Sequence, residues 1–162
     1  MRILLILSIT ACCIFGTFAV ICSRAERIER TITCHNSVFR LCETYGIRRA
    51  CDHQLRQPAT WRRGMNVYEA CRRNQPPARY TAIGTFLREH DQYPFYHQSP
   101  QFEPHTALFM ACGAWNSIIV MDQHTDNRTY SVWGTNTLMD RGHETTEYNA
   151  RMYYVIERSH NY

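Results

Sequence analysis

Between residues 105 and 124 the chain reads HTALFMAC, GAWN and SIIVMDQH, two short apolar runs joined by four turn-forming residues. Runs of this length on either side of a Gly-containing link predict a β-hairpin. Upstream, Cys34, Val38, Leu41, Cys42 and Tyr45 recur at helical spacing, and Thr31 or Thr33 can cap the turn before them, so a helix is predicted over 31–47. Polar residues with Pro58 predict a loop over 48–60, and Met65-x-Val67 after Gly64 predicts a short strand. NQPPAR (74–79) breaks structure. YTAIGTFL (80–87) is β-prone, with Gly84 marking a bulge or a close backbone approach. Pro94, Pro100 and Pro104 make 88–104 a long loop, of a length more often functional than idle. TYSVW (129–133) predicts a third strand, 134–150 is polar and irregular, and RMYYVIER (151–158) predicts a last strand. One helix followed by mostly antiparallel strands is an α+β layout.

The first residues have a different pattern. A single Arg precedes an apolar run from Ile3 to Cys22, and the small residues Ala19, Ser23 and Ala25, near or just past its end, offer cleavage positions. That is the form of a secretory signal peptide, and it sets an expected leader over 1–23 with one domain over 24–162. The run is long for a leader, so an uncleaved anchor holding the protein to a membrane is the alternative. A cleaved chain is expected outside the cell, as a monomer with no membrane attachment.

Secretion changes the meaning of the 8 cysteines. With Cys12, Cys13 and Cys22 in the leader, Cys34, Cys42, Cys51, Cys71 and Cys112 remain, and an odd number in an oxidising compartment leaves one outside the disulfides. The leftover thiol is either a bystander, an intermolecular link or a nucleophile. All 18 basic residues are Arg, and they are concentrated before residue 89, whereas the acids dominate after it. Such asymmetry suits an anionic polymer, but a solvated face in an Arg-biased genome accounts for it more simply. No aromatic and basic residues interleave as in a nucleic-acid module, so no nucleic-acid partner is expected. HDQYPFYH and CDH lack zinc spacings, so no metal and no cofactor are expected.

A pairing of Ala107 opposite Asp122 would put His105, Asp122 and His124 at one rim of the hairpin, with His105 and Asp122 as diagonal neighbours on one face. A histidine at a strand start is ordinarily a satisfied surface group. A nucleophile elsewhere changes that reading. Cys34 opens the predicted helix, where terminal N–H groups stabilise a thiolate and offer an oxyanion hole. Cysteine, histidine and an orienting carboxylate make a triad by role, and the chemistry is acyl transfer, most simply amide hydrolysis. His124 is an alternative third member. Gln123 points to the other face.

The order of a Cys on a helix followed by His and a polar residue on successive strands resembles that of NlpC-type and CHAP-type cysteine amidases and peptidases. The chain is similar to one small family among them. The matching pieces run in order: CHNSV (34–38), WRRGMNV (61–67), YTAIGTF (80–86), YP (93–94), HTALF (105–109), VMDQH (120–124) and YYVI (153–156). They span nearly all of the expected mature chain. The resemblance implies a papain-like α+β fold and cleavage of amide bonds in the peptides of bacterial peptidoglycan, with an antibacterial role. By position, YTAIGTF and the 88–104 loop would wall the substrate groove. The chain departs from the family pattern at His124, where a Trp is usual, at His35, and in a longer segment between Cys34 and Trp61. The last difference leaves Cys42 as an alternative nucleophile.

With Cys34 as nucleophile, Cys42, Cys51, Cys71 and Cys112 make two disulfides, expected as Cys42–Cys51 and Cys71–Cys112. Asn127-Arg128-Thr129 is the one N-glycosylation sequon and falls in a predicted turn. Two other functions fit parts of the chain: a secreted, disulfide-stapled binding or toxin protein with no hydrolase activity, and a secreted ribonuclease built on His and Arg.

Overall fold

The computed structural model describes residues 19–22, 25, 31–32, 39–51, 54–55, 57–87, 91–94, 104–126, 130–142 and 148–158. Among them the elements run in the order β1 (Thr31–Ile32), α1 (Phe39–Ala50), β2 (Trp61–Asn66), α2 (Val67–Arg72), β3 (Ala82–Thr85), β4 (Thr106–Cys112), β5 (Ser117–Asp126), β6 (Tyr130–Met139) and β7 (Tyr153–Arg158). The strands form one sheet in the order β1-β6-β5-β4-β3-β7-β2, and every neighbouring pair is antiparallel. Two short helices on an antiparallel sheet make an α+β fold.

Both faces of this sheet are covered, which is why its central strands are apolar on consecutive positions instead of alternating. On one face, Ile47 and Ala50 of α1 pack with Leu108, Ala82, Phe86, Trp61, Tyr93 and Ile156. On the other, Val67, Tyr68 and Ala70 of α2 are buried, the first two against Ile83, Ala107, Phe109, Val120 and Tyr153. The aromatic rings of the first face touch: Trp61 and Tyr93 are tilted with centroids 4.9 Å apart, while Phe86 meets Tyr93 at 5.6 Å and Tyr154 at 6.1 Å edge to face. Five of the family-like motifs thus meet in one core.

α1 begins at Phe39 and ends at Ala50. Thr31 and Ile32, which helical spacing assigned to its start, are instead a short strand paired with Val132 and Ser131. Strand pairing along β6 satisfies backbone groups that a helix start would leave orphaned, and tertiary contact overrides local propensity. Cys34 lies outside the described residues. Cys42 is within α1. At the other end, Arg48 and Arg49 suit the negative helix terminus.

α2 is a helix the apolar pattern did not announce. Its start is set by Asn66, whose side chain accepts a 2.9 Å hydrogen bond from the Glu69 N–H. That is an N-cap with an acid three residues on. The turn between β4 and β5 is set by Trp115 (φ 54) and Asn116 (φ 57), with the Ser117 N–H bonded to the Ala114 carbonyl at 3.2 Å. Two left-handed residues at a hairpin tip make a type I′ turn. Beside it, a Cβ at Gly113 would push the Ser117 hydroxyl off the Ala114 carbonyl to which it donates.

β6 continues to Met139, so residues 134–139, read as irregular, are strand. Exposed Thr135, Thr137 and Met139 alternate with half-buried Gly134 and Asn136 and buried Leu138, a pattern too polar to announce itself. β3 pairs in regular register on both sides, without a bulge. Gly84 meets the close approach expected of it: a Cβ would stand 3.2 Å from the Tyr93 ring and 3.4 Å from the His105 carbonyl.

Among the described residues two disulfides hold this frame. Cys71 of α2 is joined to Cys112 at the end of β4, as expected. Cys51 is joined to Cys22, and not to Cys42. The reason lies in the last residues of the N-terminal apolar run. Ala19 bridges to Glu157 and Ile21 to Thr81, so the chain runs there as an extended segment that turns Val20 and Cys22 inward. Among the described residues no helix is long and apolar enough to cross a membrane.

Candidate functional site

The β4–β5 hairpin sets the site by its register. Ala107 stands opposite Asp122, Leu108 opposite Met121 and Phe109 opposite Val120. A bulge between Phe109 and Ala111 then shifts the pairing, so Cys112 faces Ile118. The shift falls at the turn end. The rim end therefore keeps the pairing expected from the sequence.

His105 is the second residue before Ala107 and shares its face. Its Nε2 lies 3.3 Å from Oδ2 of Asp122. Both are buried, with 8% of His105 and 1% of Asp122 exposed. A carboxylate buried so deeply is held by polar contact or it protonates, and an imidazole N–H is a suitable donor. The backbone of His105 is fixed in turn by Thr85 of β3. The His105 N–H donates to Thr85 Oγ1 at 2.8 Å, and the Thr85 N–H donates to the His105 carbonyl at 2.9 Å. Thr85 was read as part of a groove wall. Ala82–Thr85 and Phe86 are buried, so this segment serves as core and clamp.

The sheet divides the other candidates. Asp122 shares the α2 face with Ala107 and Val120. Gln123 is on the α1 face, as alternation requires, and its Oε1 accepts a 3.0 Å hydrogen bond from the Gly46 N–H. The His124 backbone pairs with Val132 of β6. Cys34 and Asn127 lie outside the described residues. The chain on either side of Cys34 is described: Ile32 ends β1 against Ser131, and Phe39 begins α1. Thr31, Val132 and His124 stand in one row across β1, β6 and β5.

With a buried imidazole–carboxylate pair at the end of an antiparallel hairpin, the comparisons bear directly on its chemistry. The family model for domesticated amidase effector 2 matches residues 13–156. The chain belongs to the domesticated amidase effector 2 family. No curated protein and no solved structure matches it. The family match takes in every motif quoted above, and it begins at Cys13, inside the apolar run. Membership supports an amidase effector acting on peptidoglycan.

Two other polar clusters belong to the frame of this amidase effector. Asp140 accepts from Tyr68 Oη at 2.6 Å, from Arg151 Nε at 2.6 Å and Nη2 at 2.8 Å, and from the Gly142 N–H at 2.9 Å. The Arg151 bonds first, then that of Tyr68, hold its carboxyl far below the usual carboxylate range. The same contact pushes the Tyr68 phenol up. Asn149 Oδ1 accepts from the N–H groups of Arg141 and Arg151, and Asn66 Nδ2 donates to the Arg151 carbonyl. This ties the N-terminus of α2 to the ends of β6 and β7. Near β2, Arg63 pairs with Asp91 at 2.7 Å and lies over the Tyr154 ring, which pins residues 91–93 of the long loop to the sheet. Among the described residues His, Cys, Asp and Glu form no group of three or more fit for a metal.

Proposed function

We propose that this protein is a secreted cysteine amidase that cleaves amide bonds in peptidoglycan stem peptides, with a papain-like fold, Cys34 as nucleophile, His105 as general base and Asp122 as its orienting partner. The observation that carries the reading is the buried His105–Asp122 pair in a chain of the amidase effector family. A role for either residue alone would be weak. An imidazole whose Nε2–H is directed at a buried carboxylate has its basic lone pair at Nδ1, the nitrogen left to take a thiol proton.

The steps follow from that tautomer. Nδ1 takes the proton of Cys34, and the thiolate adds to the amide carbonyl carbon. The C–N bond then breaks while the imidazolium returns the proton to the departing amine, leaving a thioester. Water, deprotonated by the same imidazole, adds to the thioester, and the Cys34 thiolate leaves to regain a proton. Asp122 keeps the ring in one tautomer and stabilises its charged form throughout. Because α1 covers the Gln123 face, a nucleophile from the segment between β1 and α1 has to meet His105 round the ends of β4 and β5. Thr31, Val132 and His124 stand in one row across the sheet, and Cys34 follows Thr31 by three residues in the sequence. His124 is the alternative third member and Cys42 the alternative nucleophile.

The test is incubation of the purified protein with peptidoglycan sacculi, with released fragments read by mass spectrometry. New amine and carboxyl ends within the stem peptides, absent with Cys34→Ala, support the reading. Intact sacculi at high protein concentration sink it and favour a disulfide-stapled binding protein. Loss of activity in Cys42→Ala but not in Cys34→Ala moves the nucleophile to α1.

A further inference from the structure

The residues around 19–22 carry a second conclusion, about processing. The Ala82 N–H donates to the Val20 carbonyl at 2.8 Å, and the Cys22 N–H donates to the Tyr80 carbonyl at 2.9 Å. Val20 is 4% exposed and Cys22 is fully buried, while Ile21 between them is 51% exposed. This is the alternation of a strand with one face in the core. Val20, Cys22 and Ala25 pack with Ile47, Ala50, Cys51, Leu55 and Trp61. The Cys22–Cys51 bond spans 29 residues of sequence, and the loop it closes carries Cys34, β1 and α1.

Three small residues could end a leader here: Ala19, Ser23 and Ala25. A cut after Ser23 would remove the inward side chains of Val20 and Cys22 and the two backbone hydrogen bonds, and a cut after Ala25 would remove buried Ala25 as well. It would also leave Cys51, itself 1% exposed, without its disulfide partner. A cut after Ala19 removes none of these. Thr17 then occupies the small-residue position two places before Ala19, as the recognition pattern of a signal peptidase requires.

We propose that the leader is cut between Ala19 and Val20, so that Val20–Cys22 remains a strand segment of the mature domain and Cys22 closes the loop that carries Cys34. This rests on the leader reading and is independent of the amidase mechanism. The mature chain then holds six cysteines: Cys22, Cys34, Cys42, Cys51, Cys71 and Cys112. Cys34 and Cys42 are the two outside the Cys22–Cys51 and Cys71–Cys112 bonds.

The experiment is expression of the full chain in a host with an oxidising secretory pathway, followed by N-terminal sequencing of the folded product in whichever fraction holds it. The expected first residue is Val20, and non-reducing digestion is expected to yield one peptide pair linking Cys22 to Cys51. Ala19→Arg is expected to abolish cleavage at that bond. A folded product that starts at Arg24 or later overturns the proposal, as does one that starts at Met1. So does a Val20 product in which Cys51 is linked elsewhere.

Discussion

His105 Nε2 and Asp122 Oδ2 stand 3.3 Å apart across β4 and β5, on the face of the sheet opposite α1, with only one of these residues preceding its strand. The pair is a property of register: moving β5 by one residue would turn Asp122 toward α1 and bring Gln123 to the histidine. His105→Ala is therefore expected to remove both the base and the acid of the proposed reaction, and to cost about 10²–10⁴-fold in fragment release from sacculi. Cys34→Ala is expected to abolish release. Asp122→Asn is expected to cost less than either, with the loss falling on kcat and not on KM. Activity measured at matched folding, checked by circular dichroism, decides among them. Wild-type release by His105→Ala ends the assignment.

Thr85 acts on the same histidine through the backbone. Thr85→Val keeps the volume of the side chain but removes the oxygen that accepts from the His105 N–H. A buried donor deprived of one acceptor costs about 1–3 kcal/mol. The variant is expected to lose that much in urea unfolding and to show a lower kcat. Thr85→Ser, which keeps the oxygen, is expected to recover the kcat. If Thr85→Ser is as slow as Thr85→Val, the hydroxyl does not position His105.

The disulfides span 29 and 41 residues. Closing loops of this size restricts the unfolded chain by about 3–4 kcal/mol each. Cys71→Ala with Cys112→Ala is expected to lower stability by roughly that amount while leaving β4 and β5 paired, because the bond sits at the turn end of the hairpin. Cys22→Ser with Cys51→Ser is expected to lower stability similarly and activity more, since that bond closes the loop carrying Cys34. Denaturant midpoints and sacculus assays on the two double variants separate these outcomes.

Asp140 gives the fold an acid limit. Its carboxyl is held far below its ordinary value of 3.8 by Arg151, Tyr68 and the Gly142 N–H. A depressed folded-state pKa stabilises the fold at pH above the unfolded value and is lost as pH falls below it. Stability is thus expected to be flat in this respect near neutrality and to fall below about pH 4. Asp140→Asn is expected to cost about 1–2 kcal/mol at pH 7 and to shrink the acid slope. An unchanged slope in Asp140→Asn would assign the acid limit to other carboxylates.

Legibility in the sequence varied with how local the deciding interaction is. The hairpin at 105–124 could be read directly, because two apolar runs and a four-residue link are a local signal, and the Ala107–Asp122 pairing follows from counting back from the turn. The count held at the rim even though the bulge at Phe109–Ala111 changed it nearer the tip. Cys71–Cys112 was expected as the pair left after Cys42–Cys51, and it holds although that first pairing does not. α2 was missed because its six residues are fewer than two turns, too short for periodicity to show. Its signal was the Asn66-x-x-Glu69 cap instead.

The sequence by itself determined the α+β class, the hairpin, the family and the meeting of His105 with Asp122, since each depends on spacing within one segment or on an ordered set of motifs. Only the tertiary structure decided the rest. An apolar stretch such as Ala19–Cys22 is equally fit for a leader and for a buried strand, and only the Thr81 and Glu157 backbones beside it distinguish them. For the same reason Cys51 found Cys22 and not Cys42: disulfides form between cysteines that the folded chain brings within reach, and distance along the sequence does not set that. Which face of the sheet α1 covers was likewise fixed by packing, through Ile47 and Ala50 and the contact of Gly46 with Gln123, over a separation of 77 residues.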